Sequence, residues 1–220
     1  MDEKGVARRL IIKFYSEKAP NYTALADAHP GFRELRERVK GMLSPGSGAR
    51  VLDLGAGTCH HGLSFAHCEV LCLDISREML KAALLRATRQ GAAGVHVIVG
   101  DIEKLPIKDG SIDVAICVNA LRYVDAEALI KEAKRVLKPG GEMLLVDGDK
   151  DRIRAAGLDE TVKKHELERT LLERGLIRIY SREELKDLLE SHGCVVEAAE
   201  HFRIYFLLKA SVPTSASASA

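Results

Sequence analysis

The sequence predicts an α/β fold in which helices cover both faces of a doubly wound, mostly parallel sheet of seven strands. Short apolar runs alternate with helical segments between residues 50 and 147, as buried parallel strands alternate with crossover helices. No helix separates the last two predicted strands, so they can pair as an antiparallel hairpin. A glycine-rich turn follows the first strand, the usual point at which such a sheet meets a ligand.

The elements can be placed from the periodicity of apolar residues. Two apolar stripes at helical spacing indicate helices between residues 4 and 43, with a break at residues 19–22 (APNY). The Lys-Pro-Gly-Gly stretch at residues 138–141 is expected to separate the fifth strand from the helix that precedes it. The predicted strands are residues 50–54, 69–74, 94–99, 112–118, 142–146, 195–199 and 202–209. The predicted helices of this part are residues 58–66, 76–89, 125–137 and 181–191.

The same pattern predicts how the chain is divided. Residues 1–45 are expected to form a helical lid, and residues 46–210 a ligand-binding domain with a charged helical insertion at 150–180. The Ser- and Ala-rich residues 211–220 have little to bury, so we expect a disordered tail.

Composition excludes several classes of protein. The 220 residues are 46% apolar and 30% charged, with a formal net charge of +1, so no strong positive field attracts nucleic acid or an anionic membrane. No apolar run approaches the roughly 18 residues of a membrane span, and the charged N-terminus is unlike a secretory signal. We therefore expect a cytoplasmic protein whose five cysteines are buried thiols in a reducing compartment rather than disulfides.

Polar residues follow four successive predicted strands. Asp53 and the glycines at 55 and 57 end the first strand, where glycine lets the main chain approach a ligand. Asp74 ends the second strand and can accept hydrogen bonds from both ribose hydroxyls. Asp101 ends the third and can accept a purine amine, while Asn119 ends the fourth. Each alone could be a cap or turn residue, but together they predict a nucleoside site.

The ligand is better matched by S-adenosylmethionine than by a dinucleotide. A dinucleotide fingerprint has glycine at the last place of Gly-x-Gly-x-x-Gly, where this chain has His60. The Asp53 carboxylate would repel a pyrophosphate, whereas it suits a ligand that carries an ammonium or sulfonium group.

These motifs resemble class I S-adenosylmethionine-dependent methyltransferases, among them the quinone-biosynthesis C-methyltransferases. The resemblance covers about residues 50–147 and includes VLDLGAGT at 51–58, LDIS at 73–76, GDIEKLP at 100–106 and RVLKPGG at 135–141. It implies a Rossmann-like fold in which the N-terminal helices close over S-adenosylmethionine. The cofactor-binding residues it implies are Tyr15, Tyr22, Asp53, Gly55, Ala56, Gly57, Asp74, Ile75, Met79, Asp101, Ile102, Asn119 and Leu121.

The resemblance also implies in-line methyl transfer to a small-molecule acceptor. We expect a monomer or a homodimer, and the sequence does not decide between them. Cys59 stands where the family usually has a third glycine, and Arg122 with Tyr123 where it often has histidine. The general base is therefore unknown, with Tyr22, Arg122 and Tyr123 as candidates.

Other functions remain open at this point. A cofactor-binding partner or regulatory protein of the same fold would need no base, and an RNA methyltransferase would show a basic surface. Residues 59–61 (CHH) with His67 and Cys68 could suggest a metal site, but their spacing fits no usual zinc pattern. We therefore expect no metal.

Overall fold

A seven-stranded sheet forms the centre of the computed structural model, which describes residues 3–157 and 166–214. Its strand order is β3-β2-β1-β4-β5-β7-β6. The first five strands run parallel to one another, and β7 runs antiparallel to both β5 and β6. The predicted doubly wound sheet with an antiparallel C-terminal hairpin is confirmed.

The bounds of the elements are as follows. The strands are β1 (Arg50–Leu54), β2 (Glu69–Asp74), β3 (Val95–Val99), β4 (Ile112–Val118), β5 (Leu137–Gly148), β6 (Val195–Phe202) and β7 (Tyr205–Ser211). The helices are α1 (Glu3–Ala28), α2 (Pro30–Met42), α3 (Arg77–Arg89), α4 (Ala126–Val136), α5 (Lys150–Ala155), α6 (Glu166–Glu173) and α7 (Arg182–Ser191). Short 3₁₀ turns occupy Gly62–Phe65 and Leu121–Tyr123.

Each face of the sheet has its own apolar core. Leu52, Leu129 and Leu208 belong to the cluster under α4 and α7. Val39 and Val70 belong to the opposite cluster under α2 and α3. All five side chains are fully buried. The strands that are apolar on both faces are therefore covered on both sides, as expected of a parallel sheet.

A smaller cluster joins the N-terminal helix to the insertion after β5. Ala7 of α1 packs with Leu171 and Ile177, all buried. The insertion contains α5 and α6, while residues 158–165, which also belong to the predicted insertion, lie outside the described part of the chain. No helix in the described ranges combines the length and apolar character that crossing a bilayer requires.

Two predicted features of the N-terminal half are wrong. Helix α1 continues through Pro20 without the predicted break. Tertiary packing compensates for the hydrogen bond that proline cannot make, because Ala19 and Ala26 are buried on either side. The predicted helix at residues 58–66 is replaced by turns and one 3₁₀ segment, since Cys59 adopts φ +58°, which interrupts a right-handed helix.

The C-terminal half also departs from prediction at two places. Strand β5 begins at Leu137 and includes the Lys-Pro-Gly-Gly stretch, with a register shift against β4. Strand β7 includes Ser211, and the N–H of Val212 donates to the carbonyl of Gly141 at 2.9 Å. The start of the predicted tail is therefore part of the sheet, and residues 215–220 lie outside the described part.

Candidate active site

The glycine-rich loop after β1 is shaped by two left-handed glycines. Gly55 has φ +67°, and a Cβ there would lie 2.6 Å from the Cβ of Ala120. Gly57 has φ +53°, with no described atom within 4 Å of the position a Cβ would take. Gly55 is therefore required for close packing, whereas Gly57 faces open space, as a backbone that receives a ligand should.

Asp74 links this loop to the end of β2. Its Oδ2 accepts from the N–H of Gly57 at 2.8 Å, and its Oδ1 accepts from the N–H of Ser76 at 2.8 Å. Burial raises the pKa of Asp74, although these backbone donors oppose the shift. Each carboxylate oxygen keeps lone pairs for further donors, so the side chain can hold the loop and still accept from ribose hydroxyls.

Asp53 lies beneath the loop instead of in the open crevice. Its side chain is buried, and its Oδ2 accepts from the N–H of Gly62 at 2.9 Å. Burial raises the pKa of this carboxyl to about 7. Asp53 therefore supports the loop through Gly62, and its expected contact with a cationic ligand stays a prediction.

The cysteine prediction is wrong at one pair. Cys59 of the loop is joined to Cys72 of β2 by a disulfide, whereas Cys68, Cys117 and Cys194 are free and buried as expected. Ligand atoms of Asp53, Cys59 and Cys72 lie within 4.8 Å of one another, but the two sulfur atoms are bonded to each other. Sequence patterns could not reveal this pair, because Cys59 and Cys72 meet only through the register of loop and strand.

The third strand end is contacted by helix α1. Arg8 of α1 forms an ion pair with the carboxylate of Asp101, and the N–H of Glu103 donates to Asp101 Oδ1 at 2.9 Å. The neighbouring Ile102 is 8% exposed. Asp101 thus binds a guanidinium at the position where a purine amine is expected.

The fourth strand end supplies the side-chain amide of Asn119. Asn119 has φ +59°, and its N–H donates to the carbonyl of Val146 at 2.8 Å. Its Oδ1 is buried and finds no hydrogen-bond partner within the described ranges. An orphaned acceptor of this kind is costly unless a ligand donates to it, and the ammonium of a methionine arm is such a donor.

The remaining predicted cofactor residues surround these groups at different depths. Ala56 and Ile75 are half-buried in the loop and after β2, and the N–H of Ala56 donates to Leu73 at 3.0 Å. Met79 and Leu121 are almost completely buried. Ala56 and Ile75 can therefore contact a ligand directly. Met79 and Leu121 form the apolar support beneath the site.

Helix α1 lies across three of these strand ends. Besides the Arg8 contact, the hydroxyls of Ser16 and Ser76 lie 2.9 Å apart and those of Tyr15 and Tyr123 lie 2.6 Å apart. Tyr15 and Ser16 follow Arg8 by seven and eight positions, so they lie on the same side of the helix as Arg8. Arg8 and Ser16 were not predicted as site residues, because nothing in a single helical stripe identifies them.

Four tyrosines meet beside a buried ion pair next to the turn that follows β4. The rings of Tyr15 and Tyr22 are 6.4 Å apart, and those of Tyr15 and Tyr123 are 5.7 Å apart. Arg122 Nε donates to Asp147 Oδ1 at 3.0 Å, and Tyr205 interacts electrostatically with both groups of that pair. The sequence candidates Tyr22, Arg122 and Tyr123 are thus brought together.

Glu168 of α6 also reaches this cluster and was missed by sequence reasoning. Its carboxylate accepts a hydrogen bond from the Tyr123 hydroxyl, and it is 8% exposed. The only available signal was a carboxylate at an apolar helical spacing within a charged insertion.

The histidines next to the loop are buried and neutral. Burial lowers the pKa of His60 to about 4 and that of His61 to about 3. The rings of His60 and Tyr22 are 6.3 Å apart. At neutral pH these side chains therefore carry no positive charge toward the site.

Comparison with known proteins gives a consistent assignment. Residues 45–193 match the family model described as "Methyltransferase domain". The malonyl-[acyl-carrier protein] O-methyltransferase of Methylococcus capsulatus is 44% identical over 100 residues, 43% of this chain and 36% of that protein. The ubiquinone/menaquinone biosynthesis C-methyltransferase UbiE of Azotobacter vinelandii is 39% identical over 157 residues, 67% of this chain and 62% of that protein.

A solved structure supports the fold at lower identity. The complex between the Haloferax volcanii Trm112 methyltransferase activator and the putative methyltransferase contains a chain that superposes with a TM-score of 0.75 at 17% identity. The superposition covers 90% of this chain and 97% of that one. The matches to the two sequence relatives span less than two thirds of their lengths. Because the family match covers more than half of this chain, the protein belongs to the methyltransferase domain family, within the class I S-adenosylmethionine-dependent methyltransferases.

Proposed function

We propose that the protein binds S-adenosylmethionine and transfers its methyl group to a small-molecule acceptor by in-line displacement. The observation that carries the proposal is the edge formed by Gly57, Asp74 and Asn119. It combines an open left-handed glycine, a carboxylate held by two backbone N–H groups and a buried amide oxygen to which no described residue donates. This set matches a nucleoside with a cationic amino-acid arm.

Each proposed cofactor residue has a role that its position supports. Asp74 accepts from the ribose hydroxyls, and Asn119 Oδ1 accepts from the ammonium group. Asp101 accepts from the adenine amine once Arg8 moves away, and the backbone of Ile102 faces the ring. Tyr15 and Tyr22 lie on the lid side, while the other predicted residues shape the loop or support it.

When bound, S-adenosylmethionine supplies a methyl group on a positively charged sulfur. The protein itself orients the cofactor and the acceptor, encloses them and excludes water. Lid contacts from α1 to Ser76 and Tyr123 close the strand ends, and alignment of the reacting atoms together with removal of water lowers the barrier.

The acceptor side supports a small molecule more than a nucleic acid. The formal net charge is +1, and Arg122, the cation within the tyrosine cluster, is paired with Asp147. The names of the sequence relatives refer to ubiquinone/menaquinone biosynthesis and to malonyl-[acyl-carrier protein], and neither name mentions a nucleic acid.

Isothermal titration with S-adenosylhomocysteine tests the cofactor assignment. We expect micromolar binding by the wild type and at least a 30-fold weaker Kd for Asp74→Ala, since about 2 kcal/mol of ribose and loop contacts are lost. Glu78→Gln is the matched control, because Glu78 is an exposed acid in the first turn of α3. Absence of binding by the wild type, or equal binding by Asp74→Ala, would refute the proposal.

A cofactor-binding partner protein of the same fold is the second candidate. The structural neighbour from Haloferax volcanii is described as a putative methyltransferase in complex with an activator, so a chain of this fold can work within a complex. Binding of S-adenosylhomocysteine without methyl transfer to any acceptor, alone or with a co-purifying protein, would favour this candidate.

A further inference from the structure

Three hydrogen-bonded side chains from three separate elements form a continuous chain at the acceptor side. Tyr15 belongs to α1, Tyr123 to the turn after β4 and Glu168 to α6. The hydroxyl oxygens of Tyr15 and Tyr123 are 2.6 Å apart, and the Tyr123 hydroxyl donates to Glu168 Oε1. Residues that are 45 and 108 positions apart are thus linked by hydroxyl groups.

The carboxylate determines the direction of this chain. An ionised carboxylate only accepts hydrogen bonds, and each tyrosine hydroxyl has one proton to donate. Since Tyr123 donates to Glu168, its oxygen must accept from Tyr15, and Tyr15 donates to Tyr123. The lone pairs of the Tyr15 oxygen then remain available to accept a hydrogen bond from a bound molecule.

The surroundings keep the two tyrosines neutral and the chain short. Burial raises the pKa of Tyr15 and of Tyr123, so neither acts as a phenolate near neutral pH. The other charged or titratable groups that act on the two tyrosines are Tyr22 of α1 and Arg122, while Lys18 of α1 acts on Glu168. Arg122 is paired with Asp147, which leaves the Glu168 carboxylate as the end of the chain.

We propose that Tyr15 accepts the proton of an acceptor hydroxyl and that Tyr123 and Glu168 position Tyr15 and take that proton away. The inference rests on the proposed methyl transfer and specifies its acceptor class, an alcohol or a phenol. An ionised carboxylate has no proton to give and would be repelled by Glu168. A neutral amine can attack with its own lone pair and needs no such chain.

The step balances without a further reactant. A lone pair on the acceptor oxygen forms the new C–O bond as the C–S bond breaks, and the breaking bond leaves its electron pair on sulfur. The hydroxyl proton passes to Tyr15, the Tyr15 proton to Tyr123, and the Tyr123 proton to Glu168. The products are a methyl ether, a neutral thioether and a protonated Glu168, which returns its proton to water.

Matched methyl acceptors test whether the acceptor is an alcohol or a phenol. Benzyl alcohol, catechol and hydroquinone are compared with benzoate and benzylamine, using S-adenosylmethionine with a labelled methyl group. We expect label on at least one hydroxyl acceptor and a rate that falls at acid pH with the slope of a single proton. Glu168→Gln should lower kcat at least 100-fold and abolish this acid limb, and Glu168→Asp should restore part of it.

Two readouts separate this role from a merely structural one. Tyr123→Phe and Glu168→Gln should keep the Kd for S-adenosylhomocysteine within threefold of the wild type. Both should abolish the slowly exchanging hydroxyl proton NMR signal expected for a buried Tyr123 that donates to Glu168. Glu173→Gln, an exposed carboxylate on the same helix, should change neither rate nor spectrum.

Wild-type rates and an intact acid limb in Tyr123→Phe and Glu168→Gln would overturn the inference. Label on benzoate or benzylamine alone, or on no hydroxyl acceptor by a protein that binds S-adenosylhomocysteine, would overturn it as well and leave the cofactor assignment standing. A wild type that fails to bind S-adenosylhomocysteine would refute both the proposed function and this inference.

Discussion

Cys59 in the glycine-rich loop is covalently bonded to Cys72 in β2, two positions before Asp74. The same loop is also held to Asp74 by the hydrogen bond from Gly57 at 2.8 Å. One disulfide and one carboxylate therefore fix the loop against the strand that carries the proposed ribose acceptor. The geometry of the cofactor site depends on both connections.

The disulfide should contribute measurable stability. It closes a loop with a sequence separation of 13, for which the loss of chain entropy in the unfolded state corresponds to about 3 kcal/mol. We expect Cys72→Ala to lower the free energy of unfolding in urea by about this amount. A phosphine reductant in the unfolding buffer should lower the stability of the wild type equally and leave Cys72→Ala unchanged.

The left-handed backbone at Cys59 provides a matched comparison. Both Cys59→Gly and Cys59→Ala remove the disulfide. Because glycine adopts φ +58° without steric cost, the Cys59→Gly protein should be about 1 kcal/mol more stable than the Cys59→Ala protein. Equal unfolding midpoints for the reduced and oxidised wild type would show that the bond contributes nothing.

Arg8 should compete with the ligand for Asp101. The ion pair joins side chains that are 41% and 30% exposed, so it contributes at most about 1 kcal/mol. We expect Arg8→Ala to bind S-adenosylhomocysteine up to about fivefold more tightly, measured by titration at low salt. The neighbouring exposed Arg9→Ala is the control, and weaker binding by Arg8→Ala would mean that Arg8 contacts the ligand instead.

The fold could be predicted from the sequence because its signals are local. Strand β4 and the order of alternating elements follow from apolar runs and turn residues between 50 and 147, and the structure has them in place. Pro20 and the Lys-Pro-Gly-Gly stretch gave misleading signals. In both cases tertiary contacts, buried alanines around Pro20 and pairing with β4, override the local preference.

The candidate site was predictable only where it follows the strand ends. Asp74, Asp101 and Asn119 lie at the expected edge because parallel strands present their carboxyl ends together. Arg8, Ser16 and Glu168 come from the lid and the insertion, whose placement no periodicity determines. Asp53 is at the predicted position in sequence, but its carboxylate is turned beneath the loop to satisfy the N–H of Gly62.

Asp53 should make stability depend on pH. Burial raises its pKa from the usual 3.8 to about 7, so between these values the folded protein holds a proton that the unfolded chain has released. The stability contributed by this group is complete below about pH 4 and is lost as pH rises toward 7. Asp53→Asn stays neutral and keeps an acceptor for Gly62, so it removes this dependence.

The measurement is the difference in free energy of unfolding between Asp53→Asn and the wild type. We expect this difference to increase in favour of the variant by about 1 to 4 kcal/mol between pH 4 and pH 8. Comparing the two proteins cancels the opposite titration of His60 and His61, which remain in both. A difference independent of pH would show that Asp53 is ionised in the folded state throughout this range.

Removing one partner of the Arg122–Asp147 pair should destabilise the protein strongly. The two side chains are 15% and 5% exposed, and the N–H of Gly148 also donates to Asp147 Oδ1 at 2.7 Å. Asp147→Ala leaves a buried guanidinium without its counter-charge, which costs about 3 to 5 kcal/mol. Asp147→Asn retains an acceptor for the backbone and should lose less. Glu34→Ala breaks the exposed pair with Arg203 and should leave the urea midpoint nearly unchanged. Similar midpoints for Asp147→Ala and Glu34→Ala would mean that water reaches and stabilises Arg122 in the folded protein.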